Sequence, residues 1–69
     1  MKISYTPLWH TLEDKNITRT MLRKGIELNN MTYARLNKGE HISLENIAKI
    51  CEFLDCKVEN VIKVVDEND

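Results

Sequence analysis

The chain has 69 residues, of which 42% are hydrophobic and 30% charged, and a formal net charge of −1 at pH 7. This length allows one domain with a small core, and its two cysteines, Cys51 and Cys56, are too few for a disulfide framework. No signal-peptide pattern opens the chain and no apolar run is long enough to cross a membrane, so we expect a soluble cytoplasmic protein with no membrane partner.

The charge is distributed unevenly along the chain. Between Lys15 and Lys38 there are six basic residues and one acidic residue, Glu27, so this segment carries +5. The remainder holds four basic and ten acidic residues, or −6. A basic middle in an acidic chain favours a protein that offers one face to phosphates, although charges also cluster on ordinary solvated helix faces.

Capping residues and apolar spacing predict the first three helices. Thr6 as N-cap and Pro7 as first helical residue begin helix 1, because proline lacks only an N–H that would have no partner there. Thr18 is the predicted cap of helix 2 and Asn29 that of helix 3. These helices are expected over residues 7–15, 19–26 and 30–37, with residues 27–29 forming the turn between the last two.

The C-terminal part predicts a fourth helix and a short fifth one. Ser43 caps the fourth, whose apolar residues repeat with helical period up to Leu54. Residues 58–62 indicate a fifth helix; alternatively, residues 62–65 form a strand that pairs with residues 3–5. The acidic residues 66–69 are expected to fray.

Short helices with short connections predict an all-α bundle that occupies residues 1–69 as a single domain. Its core is expected to consist of apolar residues from the five helices and from the turn at residues 27–29: Leu8, Trp9, Leu12, Leu22, Leu28, Leu36, Leu44, Ile47, Ile50, Leu54 and Val61.

Helices 2 and 3 with their turn, about residues 18–38, form a predicted helix-turn-helix, which places its second helix in the major groove of DNA. Side-chain chemistry strengthens this interpretation. Asparagine and arginine suit base edges, and arginine and lysine suit phosphates. The residues on or near the outward face of helix 3 are Asn30, Met31, Thr32 and Arg35, flanked by Arg19 and Lys38.

Five segments of the chain carry a family likeness: residues 3–9, 17–24 and 34–40 and, with the most specific order and spacing, Ile42-Ser43-Leu44-Glu45 and Ile50-Cys51-Glu52-Phe53-Leu54-Asp55-Cys56. In these the sequence resembles the Cro and lambda-repressor type of helix-turn-helix regulators, in particular their very small single-domain bacterial members. The resemblance implies a five-helix lambda-repressor-like domain. It also implies sequence-specific binding of double-stranded DNA, and repression or modulation of a nearby promoter.

The resemblance also assigns roles to individual residues. It implies base contacts by Asn30, Met31 and Arg35, to which we add Thr32, and phosphate contacts by Arg19, Thr20 and Lys38, to which we add Asn29. Because one such domain covers little DNA, we expect a homodimer that sets two copies of helix 3 about 34 Å apart. The predicted dimer surface is residues 58–65 or the strand that begins at Ile3.

Two residues depart from the family pattern. Arg23 stands where the family usually has alanine, which lets the two helices approach closely. Glu27 stands where it usually has glycine, which adopts the left-handed turn conformation readily. We therefore expect Arg23 to lay its side chain along helix 3, over the Tyr33 ring, and Glu27 to strain the turn.

Other classes of function have weaker support in the sequence. Cys51 and Cys56 are not followed by a ligand pair, and His10 and His41 lie far upstream and far apart, so we expect no zinc site. No glycine-rich loop or nucleophile motif indicates catalysis, and we expect neither an enzyme nor a cofactor. Two alternatives stay open: a protein-interaction module, such as an antitoxin-like partner, and an accessory or inhibitor domain of an enzyme.

Overall fold

The structure is a computed structural model that describes residues 1–66. Within this range the element order is β1 (Lys2–Ser4), α1 (Thr6–Asp14), α2 (Arg19–Gly25), α3 (Asn30–Lys38), α4 (Leu44–Leu54), a 3-10 turn (Val58–Asn60) and β2 (Lys63–Val65). The domain is thus mostly helical, with a two-stranded sheet added. Fraying is predicted for the acidic tail over residues 66–69, of which residues 67–69 lie outside the described range.

Side-chain caps begin three of the four helices at the predicted residues. Each supplies an oxygen to a backbone N–H of the first turn, which has no partner within the helix. The three bonds are Thr18 Oγ1 with Met21 N–H at 3.1 Å, Asn29 Oδ1 with Thr32 N–H at 2.7 Å, and Ser43 Oγ with Asn46 N–H at 3.2 Å. The left-handed residue Gly39 ends α3 one residue later than predicted, at φ +78°.

The start of α1 differs from the prediction that Thr6 caps it. The helix begins at Thr6 itself, Tyr5 is the N-cap residue, and no side chain of that residue caps it. Instead the hydroxyl of Ser4 accepts the Thr6 N–H at 3.2 Å. A cap one residue earlier therefore moves the whole helix start by one position.

The predicted fifth helix is wrong for the described residues and the alternative strand is confirmed. Val58–Asn60 form only one 3-10 turn, and β2 pairs antiparallel with β1, with Ile3 opposite Val64. Backbone contacts explain the early end of the turn, since Leu8 N–H donates to the Val61 carbonyl at 3.2 Å. The chain is held against α1 there, and the β-branched residues beyond it favour a strand.

The core lies between the four helices and the turn at residues 58–60. Nine of the predicted core residues are buried, Trp9 is partly buried, and Leu44 is 80% exposed. The prediction for Leu44 is wrong because this residue lies in the same helix row as Ala48, which is exposed too, and this row of α4 faces away from the core. Tyr5 joins the core as an additional buried residue.

A close contact between α2 and α4 depends on a glycine. The ring of Phe53, from α4, occupies the space in which a Cβ at Gly25 would stand. Gly25 is the last residue of α2, so the missing side chain lets α4 approach the helix that precedes the turn. Gly25 lowers the helix propensity of α2, but it allows α2 to pack closely against α4.

Cys51 lies in the last turn of α4 and Cys56 just beyond the end of that helix, and both are free thiols. Asp55 adopts φ +50°, and the Cys56 N–H donates to the Cys51 carbonyl at 3.0 Å, which closes the helix end. Burial, and then the neighbouring Cys51 thiol, raise the pKa of Cys56. None of the helices in residues 1–66 has both the length and the apolar character needed to span a bilayer.

Candidate nucleic-acid interface

The turn between α2 and α3 is built around a residue in the left-handed conformation. Glu27 has φ +55°, and the Leu28 N–H beyond it donates back to the Arg23 carbonyl at 3.1 Å. Leu28 is buried and fixes the turn to the core. The turn is therefore well defined although glutamate, and not glycine, occupies the strained position.

Two leucines decide which faces of α2 and α3 are turned outward. Leu22 and Leu36 are among the fully buried side chains of the core. Since residues four apart lie on the same side of a helix, Thr32 shares the inward row of Leu36 and is half-buried. The opposite side of α3 is left open to solvent.

The outward side of α3 carries polar and basic side chains at helical spacing. Asn30 and Ala34 lie in one row, which continues to Lys38, and Met31 and Arg35 lie in the next row. All five are exposed, Met31 to 64%. The structure thus brings Asn30, Met31 and Arg35 onto one face, and leaves Thr32 at its edge.

Arg23 links α2 to α3 through two contacts. Its guanidinium lies 5.1 Å from the centroid of the Tyr33 ring, as predicted, within the range of a cation–π contact. The same guanidinium donates a hydrogen bond to Asn30 Oδ1. The arginine that replaces the usual alanine therefore fixes the orientation of a candidate base-contacting side chain.

Arg19 is held at the start of α2 by neighbours from two other helices. Its guanidinium carbon lies 3.6 Å from the Trp9 ring centroid, and its Nη1 donates to Asn37 Oδ1 at 3.0 Å. A cation stacked on an indole and bonded on one edge keeps its remaining N–H groups free for an anion. This arrangement was not predicted from the sequence, because Trp9 was expected in the core.

The remaining candidate phosphate contacts lie around the same surface. Thr20 and Lys38 are exposed, at the start of α2 and at the end of α3. Asn29 is exposed too, but its side-chain oxygen is used to cap α3. Only its amide N–H₂ group is left for an anion.

The segment that follows α3 is tied to the core by Tyr5. The Tyr5 hydroxyl donates to the Glu40 carbonyl at 2.7 Å, and the Glu40 N–H donates to the Arg35 carbonyl at 2.8 Å. Burial raises the pKa of Tyr5, and a backbone hydrogen bond with Ile42 partly offsets that rise. These hydrogen bonds fix the backbone at the end of α3, where Lys38 lies.

Sequence reasoning missed Ala34, which lies exposed between Asn30 and Lys38 in their row. The helical period alone could have placed it there, and a small apolar side chain suits the methyl group of thymine. Elsewhere in residues 1–66, no three histidine, cysteine or acidic side chains are grouped closely enough to hold a metal ion.

Comparison with known proteins agrees with this geometry. The family model described as the Cro/C1-type HTH DNA-binding domain matches residues 7–67. Among solved structures, the transcriptional regulator VanUg in its crystal form II is similar with a TM-score of 0.92 and 33% sequence identity; the match covers 96% of this chain and 88% of that one. A comparison with curated proteins gives no match. On the extent of the family match, the chain belongs to the Cro/C1-type helix-turn-helix DNA-binding domains.

Proposed function

We propose that this protein is a sequence-specific regulator of transcription that acts by binding double-stranded DNA in the cytoplasm and catalyses no reaction. The observation that carries the proposal is the outward face of α3, where Asn30, Met31 and Arg35 lie together, with Arg19 and Lys38 at the flanks. The likeness to a transcriptional regulator over 96% of the chain supports the same conclusion.

In this mechanism α3 enters the major groove. Arg35 reads a base edge, for which guanine N7 and O6 offer the best fit to a guanidinium, and Asn30 reads a neighbouring base. Met31 and Thr32 complete the base-contacting set by apolar contact and by hydroxyl hydrogen bonding. Occupancy of the site then blocks or guides polymerase at a nearby promoter, so repression or modulation follows from position and not from chemistry.

Phosphate contacts set the orientation of α3. Arg19 and Thr20 contact DNA phosphates on one side of the major groove, and Lys38 contacts a phosphate near the end of α3. The Asn29 amide donates to a phosphate beside the start of α3. Since Arg19 is already positioned by Trp9 and Asn37, little side-chain entropy is lost when it binds DNA.

A homodimer is the form we propose on DNA. An apolar groove runs between the start of α4 and the sheet, and is lined by Ile3, Ile42 and Ile62 beside Leu44. Leu44 is 80% and Val64 61% exposed, so the surface offers apolar area that a second copy would cover. Two-fold pairing calls for a roughly palindromic site with half-sites one DNA turn apart.

The test separates reading of bases from holding of phosphates. Arg35→Ala should weaken binding to the best duplex by about 1–3 kcal/mol and leave random DNA almost unaffected. Arg19→Gln and Lys38→Gln should each weaken all duplexes similarly and lower the salt slope by about one unit. Fluorescence anisotropy titrations at several salt concentrations measure both quantities, with Lys57→Gln as an exposed control that carries the same charge change.

Two results would contradict the proposal. Equal losses on both duplexes for Arg35→Ala would move Arg35 to the phosphate-contacting set. A parent protein whose DNA affinity does not depend on salt at all would remove the DNA-binding function, and would leave a protein-interaction module as the function to test.

A further inference from the structure

A groove lies between the terminal sheet and the end of α3, and we call it the sheet groove. Its walls come from both strands, from the start of α1 and from residues 36–39. Three of its lining residues are lysines, Lys2, Lys38 and Lys63, and none is acidic. In a chain of net charge −1, this groove gathers three positive charges.

The pairing of the strands puts two of these lysines on one face of the sheet, in diagonal positions. Lys63 lies opposite Ser4, and Lys2 opposite Val65. Residues opposite each other in an antiparallel pair share a face, as do residues two apart on one strand. Lys2 and Lys63 therefore point to the same side of the sheet, and the apolar Ile3 and Val64 point to the other.

The lysines of the sheet groove are available to a ligand. All three are exposed, and in residues 1–66 no carboxylate forms an ion pair with any of them. Lys49 differs, since its Nζ lies 3.9 Å from a carboxylate oxygen of Glu45. Like charges that share a groove repel one another, and an anion that enters the groove relieves that repulsion.

The backbone of α1 does not compete for this role. The Thr6 N–H is bonded to Ser4 Oγ, the Leu8 N–H to the Val61 carbonyl, and Pro7 has no N–H. The first amides of the helix are thus used or missing. The positive charge that an anion in the groove would meet comes from the lysine side chains.

The sheet groove continues into the surface assigned to DNA. Trp9 and Asn37 line it, and these are the two residues that hold the Arg19 guanidinium. Lys38 belongs to both surfaces. A duplex held by Arg19 and Lys38 would therefore pass beside this groove and bring its phosphates toward Lys2 and Lys63.

We propose that Lys2 and Lys63 bind the DNA backbone beside the base pairs that α3 reads, so that the terminal sheet extends the DNA footprint beyond the helix-turn-helix. This inference rests on the proposed function. Lysine suits the role, because its ammonium is a point charge on a flexible stem that can follow a phosphate in any sequence. The sheet thus contributes affinity without adding sequence preference.

The test compares two double variants of equal charge. K2Q/K63Q removes the two sheet lysines, and K49Q/K57Q removes two exposed lysines from α4 and the segment after it. Each phosphate contact contributes about 0.9 to the slope of log affinity against log salt. K2Q/K63Q should lower the magnitude of that slope by about 1.8 on specific and on random duplexes alike, and K49Q/K57Q should leave it close to the parent value.

Further variants and outcomes make the result decisive. K2R/K63R should retain the parent slope, and circular dichroism should show that all variants fold as the parent does. If the parent binds with a steep slope and K2Q/K63Q keeps that slope, or loses no more than K49Q/K57Q, the sheet does not contact DNA and the inference is overturned alone. If the parent shows no salt-dependent binding, the proposed function fails together with it.

Discussion

Replacement of Arg23 by alanine tests how this chain compensates for a large side chain between α2 and α3. The guanidinium lies 5.1 Å from the Tyr33 ring centroid and donates to Asn30 Oδ1. A cation–π contact at a partly exposed site contributes about 0.5–1 kcal/mol, and a hydrogen bond about 0.5–1.5 kcal/mol. Arg23→Ala should therefore lower the free energy of unfolding by about 1–2.5 kcal/mol.

Double-mutant cycles separate the two contacts. Tyr33→Leu keeps an apolar side chain and removes the π face, so its coupling with Arg23→Ala should be about 0.5–1 kcal/mol. Asn30→Ala removes the acceptor, and its coupling should be about 0.5–1.5 kcal/mol. Urea unfolding followed by circular dichroism measures each free energy, with Lys49→Ala as the partner in a control cycle.

The refuting result is additivity. If both cycles gave coupling within the roughly 0.3 kcal/mol found for independent sites, Arg23 would not join the helices as described. An Arg23→Ala variant more stable than the parent would show that alanine, as in the wider family, packs better at this position.

Three further predictions concern the core, the turn and the pH dependence of stability. Ile47→Ala should cost about 2–5 kcal/mol in urea unfolding because Ile47 is buried, and a loss below about 0.5 kcal/mol would show that α4 does not pack as described. Glu27→Gly should stabilise the fold by about 0.5–1 kcal/mol, because glycine adopts φ +55° without strain at some cost in unfolded-state entropy; Glu27→Ala keeps the strain and should not stabilise. Tyr5→Phe should cost about 0.5–1.5 kcal/mol at pH 7. Since the folded pKa of Tyr5 is raised above 10.0, the advantage of the parent over Tyr5→Phe should persist up to about pH 10 and decline above it, and an advantage that grew there would contradict the direction of the shift.

Local signals in the sequence were enough for most of the helical fold. Thr18, Asn29 and Ser43 cap the helices that they were predicted to cap. Such a cap can be predicted from sequence because the capping residue directly precedes the helix that it begins. The helix starts that depend on these residues were therefore right. The start of α1 was one residue off, because the accepting hydroxyl belongs to Ser4 and not to Thr6.

Long-range pairing was harder to predict. The strand β2 forms because β1, about sixty residues earlier, offers it a partner. A short stretch such as residues 58–65 has helix and strand interpretations that only such a partner can separate. The prediction that Leu44 is buried was wrong for a related reason. Helical spacing marks Leu44 as apolar, but its burial requires another element that packs against it.

The candidate site shows the same division. The outward row of α3 follows from helical spacing, so Asn30, Met31 and Arg35 could be placed on one face from sequence. The stacking of Arg19 on Trp9 and the shared sheet face of Lys2 and Lys63 could not, because each joins residues from separate elements. Lys2 and Lys63 were also missed because the charge was counted by segment. Both lie in the part of the chain that is acidic on average.

Selection of bound sequences from a pool of random duplexes, using the purified protein, tests whether α3 reads a specific DNA sequence. If a homodimer reads bases through α3, one roughly palindromic motif should be enriched, with half-sites about 10 base pairs apart. Repeating the selection with Arg35→Ala should relax the motif at one base pair in each half-site and keep the others. If the parent protein recovers duplexes without enrichment of any sequence, α3 holds DNA without reading its bases and the protein is not a sequence-specific regulator.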